Sequence, residues 1–304
     1  MDFDALATQV LDGYTLTKAE AMSILESPDD TLPYVMDAAY RLRANTHGRD
    51  VTLHVLKNAK SGSCPEDCSF CSQSTQYQTG VDRYRIQTVD ELIAGARDAH
   101  ACGATRYCMV TSTRAPTDRE LNVICEATKK IKAEMPIEIC ASLGFLNDGS
   151  AQTLAEAGVD RFNHNIETSE RHFSNLVTTH QWSDRVDTVR AAKRAGMEAC
   201  CGGIIGMGED LTDRVEWAFS LRELDVESIP VNFLDPRPGT PMDCHERPSA
   251  QDCLRTLAMV RFVNPDRDIR VAGGRETNLG TLQGLALKAA NSLFTQGYLT
   301  TGGQ

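Results

Sequence analysis

Nowhere in its 304 residues does this chain run far through apolar residues without meeting a charge, and it opens on the acidic Met1-Asp-Phe-Asp. Neither a membrane span nor a secretory leader is expected from such a pattern. Positive charge is short as well: 31 Lys and Arg stand against 42 Asp and Glu, a net charge of −11. That balance argues against nucleic acid or an anionic membrane as a partner. No Gly/Ser-rich linker divides the chain and no short-period repeat runs through it, so one large domain is expected and a solenoid is not. Without a secretory leader, the eleven cysteines read as thiols or metal ligands rather than disulfides, and the expected setting is the cytoplasm.

Three of those cysteines fall in one polar, turn-rich stretch, Ser61-Gly-Ser-Cys64-Pro-Glu-Asp-Cys68-Ser-Phe-Cys71-Ser72, directly after the apolar run Val51 to Leu56. A loop leaving a strand can wrap thiolates at these spacings around one centre, where a helix or strand could not. Soft sulfur ligands in this number suit an iron–sulfur cluster or zinc. A closed structural zinc site needs a fourth ligand, and none follows at finger or ribbon spacing. Three thiolates on a 4Fe–4S cube leave one iron open, and an open iron can bind a substrate. Loose surface cysteines and a zinc site completed from a distant residue are the competing readings.

Residues 1–50 read as a helical cover, with Thr17-x-x-Glu20 as a capping box and a break at Asp29-Asp-Thr-Leu-Pro33. From Val51 onward, β-rich runs alternate with helical ones. Strands are predicted at 51–57, 104–110, 137–142, 159–165, 197–204, 228–234, 268–272 and 291–295, and capping boxes at Thr88-x-x-Glu91 and Thr117-x-x-Glu120 open two of the helices. Eight alternations over about 245 residues predict a (β/α)8 TIM-type barrel over 51–296, followed by a tail at 297–304. An open, doubly wound sheet is the alternative. Several strands alternate where a packed barrel core would read as continuously apolar. Cys140 and Ser142 oppose Ile139, Asn163 and Asn165 flank the apolar face, and Asp268 and Arg270 oppose Ile269. A polar working interior follows, with Glu138 and Arg161 read as strand ends facing solvent.

Cys64-x-x-x-Cys68-x-Phe70-Cys71 resembles the signature of the radical S-adenosylmethionine (SAM) enzymes. The fuller His54-Val-Leu-Lys-Asn-Ala-Lys-Ser-Gly-Ser-Cys64-Pro-Glu-Asp-Cys68 is similar to the biotin synthases among them, over roughly Tyr34 to Gly297. The resemblance implies a 4Fe–4S cluster on Cys64, Cys68 and Cys71, SAM at its open iron, and Phe70 near the adenine. It implies a 2Fe–2S cluster on Cys108, Cys140 and Cys200, with Arg270 as an unusual fourth ligand. Taken singly, these three cysteines would read as small buried hydrophobes, and Arg270 as an ion-pair partner of Asp268 or Glu276. Strand alternation favours Cys200 over the adjacent Cys201, and Arg106 would offset cluster charge.

SAM contacts are implied for Asn165, Glu167, Arg185, Gly202 and Ile204, and substrate contacts for Asn165 and Asn232. Many relatives carry aspartate where this chain has Glu167. Without the resemblance, Arg185 would read as the solvated face of a helix. Pro236-Arg-Pro-Gly239-Thr-Pro241 would lie over the barrel mouth, and His164 reads as a structural hydrogen-bonder. The implied reaction is sulfur insertion into dethiobiotin, the last step of biotin biosynthesis, carried by cofactors rather than by an acid or base side chain. A homodimer and a flavodoxin or ferredoxin donor are implied with it. The competing functions are a related radical enzyme, such as a hydrogenase-maturation or methylornithine synthase, an iron–sulfur electron carrier, and a zinc-bound structural module.

Overall fold

Each β-rich run carries apolar residues on one face and polar residues on the other. A sheet buries both by turning the apolar face to covering helices and the polar face to a shared interior. The computed structural model, which describes residues 1–297 and Leu299, resolves these runs into β1 (Thr52–Lys60), β2 (Arg106–Thr111), β3 (Glu138–Ser142), β4 (Arg161–Asn163), β5 (Glu198–Cys200), β6 (Gly203–Ile205), β7 (Ser228–Phe233), β8 (Asp268–Val271) and β9 (Ser292–Thr295). All neighbours pair in parallel, in the order β5-β4-β3-β2-β1-β9-β8-β7-β6. The sheet closes because β5 also pairs with β7, through Cys200 and Ser228.

Around the barrel, β5 and β6 act as two halves of one strand, so the fold is the expected (β/α)8 barrel. The single strand expected at 197–204 is interrupted at Cys201-Gly202. There the backbone bends toward β7: Cys201 N–H donates to Ser228 O at 2.9 Å. A Cβ on Gly202 would stand 1.9 Å from Pro230 O, so only glycine fits this approach.

Helices fill the connections, at 89–101, 118–134, 148–156, 182–194, 211–223 and 250–263, and the three predicted capping boxes are formed at Thr17, Thr88 and Thr117. Tyr107, Ile139 and Phe162 point outward from their strands into the core beneath these helices. The N-terminal helices, 3–11, 18–25 and 32–47, lie on the flank of the barrel. Lys18 pairs with Glu216 at 2.6 Å, and Arg255 with Asp29. This cover is why helix 250–263 is buried almost all round. Ile24 and Leu42 of the cover are themselves fully buried, each contributing about 2 kcal/mol. Of the expected tail, only Gly297 and Leu299 are among the described residues. No helix among those residues is long and apolar enough to cross a membrane.

The inward faces carry a polar layer at the N-terminal end, with Leu56, Val110 and Phe294 among the residues above it. Asp268 is the hub at the N-terminal end, accepting from Arg161 Nη1 at 3.1 Å, from Arg106 Nη1 and Arg270 Nη2 at 3.4 Å each, and from Ser228, Ser292 and Asn291. Arg161 departs from expectation. It is 5% exposed rather than facing solvent, because Asp268 and the rim carboxylate of Glu198 draw it inward. Arg106 is engaged in the same layer by Glu138 and Asp268.

Candidate active site

The three-thiol loop leaves the end of β1, and its own backbone sets its shape. Cys64 N–H donates to Gln73 O at 3.2 Å, Thr75 N–H returns to Cys64 O at 2.8 Å, and Cys71 N–H closes a turn on Cys68 O at 2.9 Å. Asp67 fastens the loop to the segment after β4 by accepting from Thr178 N–H at 3.0 Å and Thr179 N–H at 3.2 Å. Burial works against the Asp67 carboxylate, yet these hydrogen bonds hold its pKa down at about 2. Cys64, Cys68 and Cys71 thereby line one cavity of about 310 Å³, the scale of a small-molecule site.

Burial pushes all three thiols up, Cys71 to about 11. Each also meets one group that favours the thiolate. Backbone N–H groups of Glu66 and Gln73 serve Cys64 and Cys71, and Arg185 Nη2 lies 3.6 Å from Cys68 Sγ. None of the eleven cysteines is in a disulfide. Among the described residues no three His, Cys, Asp or Glu side chains converge on one ion-sized point. Three sulfurs, one buried and two half-buried, each with its own donor and spread around one cavity, fit a four-iron cube. Its thiolates stand farther apart than those around a single zinc ion.

A second set of thiols lies deeper, toward the N-terminal ends of the strands. Register places Cys108 opposite Cys140, and Asn163 opposite Cys200. Cys108 and Cys140 are hydrogen-bonded to each other, which pushes one thiol up and pulls the other, Cys140, down, with Arg270 and then Arg161 and Arg106 adding to the fall. Cys200 Sγ accepts from Asn163 Nδ2 at 3.2 Å and from Arg270 Nη1 at 3.6 Å.

Arg270 is 2% exposed, its guanidinium lies 4.9 Å from the Phe294 ring, and its Nε is buried with no hydrogen-bond partner. An orphan cationic donor among sulfurs fits an anionic cluster in this layer. Of the two carboxylates weighed for Arg270, Asp268 is in contact with it, while Glu276 meets Arg275. Cys201 packs outward into the apolar core, as alternation suggested. Cys102 and Cys244 are exposed, and Cys125 and Cys253 are buried on helices.

Between the two sets lie the β4 and β6 ends. Glu167 holds a left-handed backbone, φ 68°, unusual for a side chain with a Cβ and costing on the order of 1 kcal/mol. Its N–H donates to Gly202 O at 3.1 Å, and its carbonyl accepts from Ile204 N–H at 2.9 Å. A Cβ on Gly203 would stand 2.1 Å from that carbonyl, so the approach needs glycine. The Glu167 carboxyl is pushed up by burial, against the pull of Arg185 at 3.3 Å and of Asn165. Asn165 Oδ1 accepts from Gly202 N–H at 3.0 Å. Asn232 donates to Gly203 O at 3.0 Å and accepts from Gly273 N–H at 2.9 Å, which leaves one amide hydrogen and one lone pair for the cavity.

Of the predicted site residues, all but Cys200 and Gly202 line the cavity, including Phe70, Ile204 and Asn232. Arg185 is inside the site, not on a solvated helix face. Arg237 of the expected mouth loop, and Asp235 just before it, are on its wall. His164 differs from expectation: its Nε2 is buried without a hydrogen-bond partner, and the ring packs against Phe145 at 5.2 Å.

Three polar residues went unnoticed in the sequence: Glu66, Arg114 and His180 form a network beside Cys64. Asn163, expected to face inward, meets Cys200. Glu66 could have been suspected from its place between two motif cysteines. His180, in an irregular stretch, carried no signal.

The chain matches the Radical SAM superfamily model over residues 58–221 and the Biotin and Thiamin Synthesis associated domain over 230–304. It is 56% identical to biotin synthase of Salinibacter ruber, covering 98% of this chain and 83% of that one. It is 48% identical to biotin synthase of Bacillus licheniformis, covering 98% and 90%. Among solved structures it resembles a methylornithine synthase, with TM-score 0.85 at 22% identity over 95% of this chain and 85% of that one. A FeFe-hydrogenase maturase from Carboxydothermus hydrogenoformans gives TM-score 0.81 at 16% identity over 99% and 74%. These last two show a shared fold.

Proposed function

The chain belongs to the biotin synthases, and from that membership we propose how its own residues serve sulfur insertion into dethiobiotin. When bound, a 4Fe–4S cluster with SAM supplies the radical that removes hydrogen from unactivated carbon, and a 2Fe–2S cluster supplies the sulfur. Cys64, Cys68 and Cys71 hold the first centre, and Phe70 lies beside the adenine. Asn165 and Glu167 would hold the ribose, and Gly202 would fix both of them from behind through its own N–H and carbonyl. Ile204 would form the wall against which SAM lies, and Arg185 would take its carboxylate through the guanidinium fork. Asn232 and Asn165 present amide donors and acceptors to the cyclic urea. Cys108, Cys140 and Cys200 hold the second centre, with Arg270 as its cationic neighbour. The walls would shield the reacting carbon from solutes able to trap it. A flavodoxin or ferredoxin donor, a homodimer, a cytoplasmic setting and the division into cover, barrel and tail belong to this reading too. They rest on the family and on the chain's composition.

One observation carries the reading: the three loop thiols and, on separate strands, Cys108 and Cys140 line the same cavity, with Cys200 joined to the deeper pair through Arg270, and Asn165 lines it too. The test rebuilds the deeper centre with isotopically heavy sulfide and weighs the first-turnover product. Biotin heavier by one sulfur label is expected; unlabelled biotin from a fully labelled protein would end the donor assignment. Cys140→Ala is expected to lose biotin formation while retaining some SAM cleavage, read as 5′-deoxyadenosine without biotin.

The orphan Nε and the Cys200 contact give Arg270 its own test. Arg270→Met is expected to shift the visible spectrum of the deeper centre while SAM affinity stays within about twofold, the range of a change remote from the SAM contacts. An unchanged spectrum would reduce Arg270 to an ion-pair partner of Asp268.

A further inference from the structure

We propose that His180 is a positioning residue for Arg185, held as the Nδ1–H tautomer by Glu66 so that its Nε2 lone pair accepts the Nε–H of Arg185. The proposal rests on the reading that Arg185 meets SAM. Its geometry is a chain of three side chains. His180 Nε2 lies 3.0 Å from Arg185 Nε, and His180 Nδ1 lies 2.5 Å from Glu66 Oε2. A guanidinium nitrogen only donates, so Nε2 must be the acceptor. A neutral ring accepting at Nε2 carries its proton at Nδ1, where the Glu66 carboxylate receives it. The imidazolium form would set a donor against a donor at Arg185. Burial and then the Arg185 charge hold the ring below its ordinary pKa, in keeping with a neutral imidazole.

Each end of the chain is held independently. Glu66 also accepts from Arg114 Nη1 at 2.6 Å and from Thr179 Oγ1 at 2.5 Å, so its carboxylate has little freedom to turn. The His180 side chain has no solvent exposure and meets Phe145 edge-on, at 5.0 Å and 77°. At the other end, Arg185 Nη1 donates to Asn165 O at 2.9 Å and Nη2 lies 3.6 Å from Cys68 Sγ. With Nε tied back to His180, the terminal nitrogens are left to Asn165, Glu167, Cys68 and the cavity that Arg185 lines. Without that tie, rotation about the last side-chain bonds would turn the fork away from a carboxylate bound there.

Two measurements test this. The full chain, labelled with ¹⁵N-histidine and assigned by comparison with His180→Gln, should show the two His180 ring nitrogens in the Nδ1–H pattern. An Nε2–H or doubly protonated ring overturns the proposal, and this readout needs no activity. Then His180→Leu, with its clusters rebuilt, should bind SAM about tenfold more weakly, the usual size of losing an orienting outer contact. Its dethiobiotin affinity should be unchanged, and His180→Gln, whose amide can both donate and accept, should recover most of the loss. Equal loss of both ligands, or none of either, overturns the positioning role. Arg185→Met separates the two levels. If it weakens SAM and His180→Leu does not, the His180 proposal falls alone. If Arg185→Met leaves SAM affinity intact, the reading beneath it falls.

Discussion

A Cys68→Ala protein, rebuilt anaerobically with iron and sulfide and given strong reductant, is expected to form no 5′-deoxyadenosine above background. Cys68 is the least exposed of the three loop thiols at 7%, and its sulfur lies 3.6 Å from the Arg185 guanidinium. Two remaining thiolates would not fix a cube in the orientation that leaves one iron open toward the cavity. The fold should survive, because the loop is anchored by other contacts. Asp67 accepts from Thr178 and Thr179, and Ser69 N–H donates to Leu176 O at 3.0 Å. Loss of the sulfur should cost the unloaded chain about 1 kcal/mol, the centre of the range for single substitutions. Cys253→Ala, buried on a helix away from the cavity, is the control and should keep normal cleavage. Normal SAM cleavage by Cys68→Ala would mean that the loop thiols are bystanders, and the whole assignment of the upper centre would go with it.

What could be read without coordinates follows from what short-range pattern encodes. Strand parity carried the inward positions of Cys140, Asn163 and Arg270, because the side-chain period along a strand is two whatever lies around it. It also preferred Cys200 to Cys201, and the structure puts Cys201 in the outer core. Pattern fell short where a contact joins residues distant in sequence. Arg161 looked like a solvent-facing strand end, but Asp268, 107 positions later, draws it inward. The break between β5 and β6 depends on how closely Gly202 approaches Pro230, which no local propensity reports. His180 sits in an irregular stretch, and its two partners, Glu66 and Arg185, converge on it only once β1 and β4 are neighbours of the same cavity. The cofactor assignments came from resemblance. The residues alone proposed one cluster and would have left Cys108 and Cys140 as buried hydrophobes.

Asp268→Asn is expected to be the most destabilising single change in the barrel interior. Its carboxylate meets three guanidiniums, and they differ in what else they have. Arg106 and Arg161 keep Glu138 and Glu198 at the solvent-facing rim, with carboxylate side chains 52% and 51% exposed. Arg270, at 2% exposure, is paired with no carboxylate but Asp268 among the described ion pairs. An amide of the same shape keeps the packing but removes the charge, so the cost is that of stranding a buried cation. Removing one partner of a buried pair costs about 3–5 kcal/mol. At roughly 2–4 °C per kcal/mol for a domain of this size class, the unloaded chain should melt about 10 °C lower. The companion variant, Asp268→Asn with Arg270→Met, removes the stranded charge as well and should regain part of the loss. A cycle of the two single changes and the double should show a coupling of about 1 kcal/mol or more. Additive effects, or an Asp268→Asn protein as stable as the parent, would mean the guanidiniums are adequately solvated from the rim. The polar layer would then be no electrostatic floor to the chamber, and the cationic character assigned to Arg270 beside the deeper thiols would lose its structural basis.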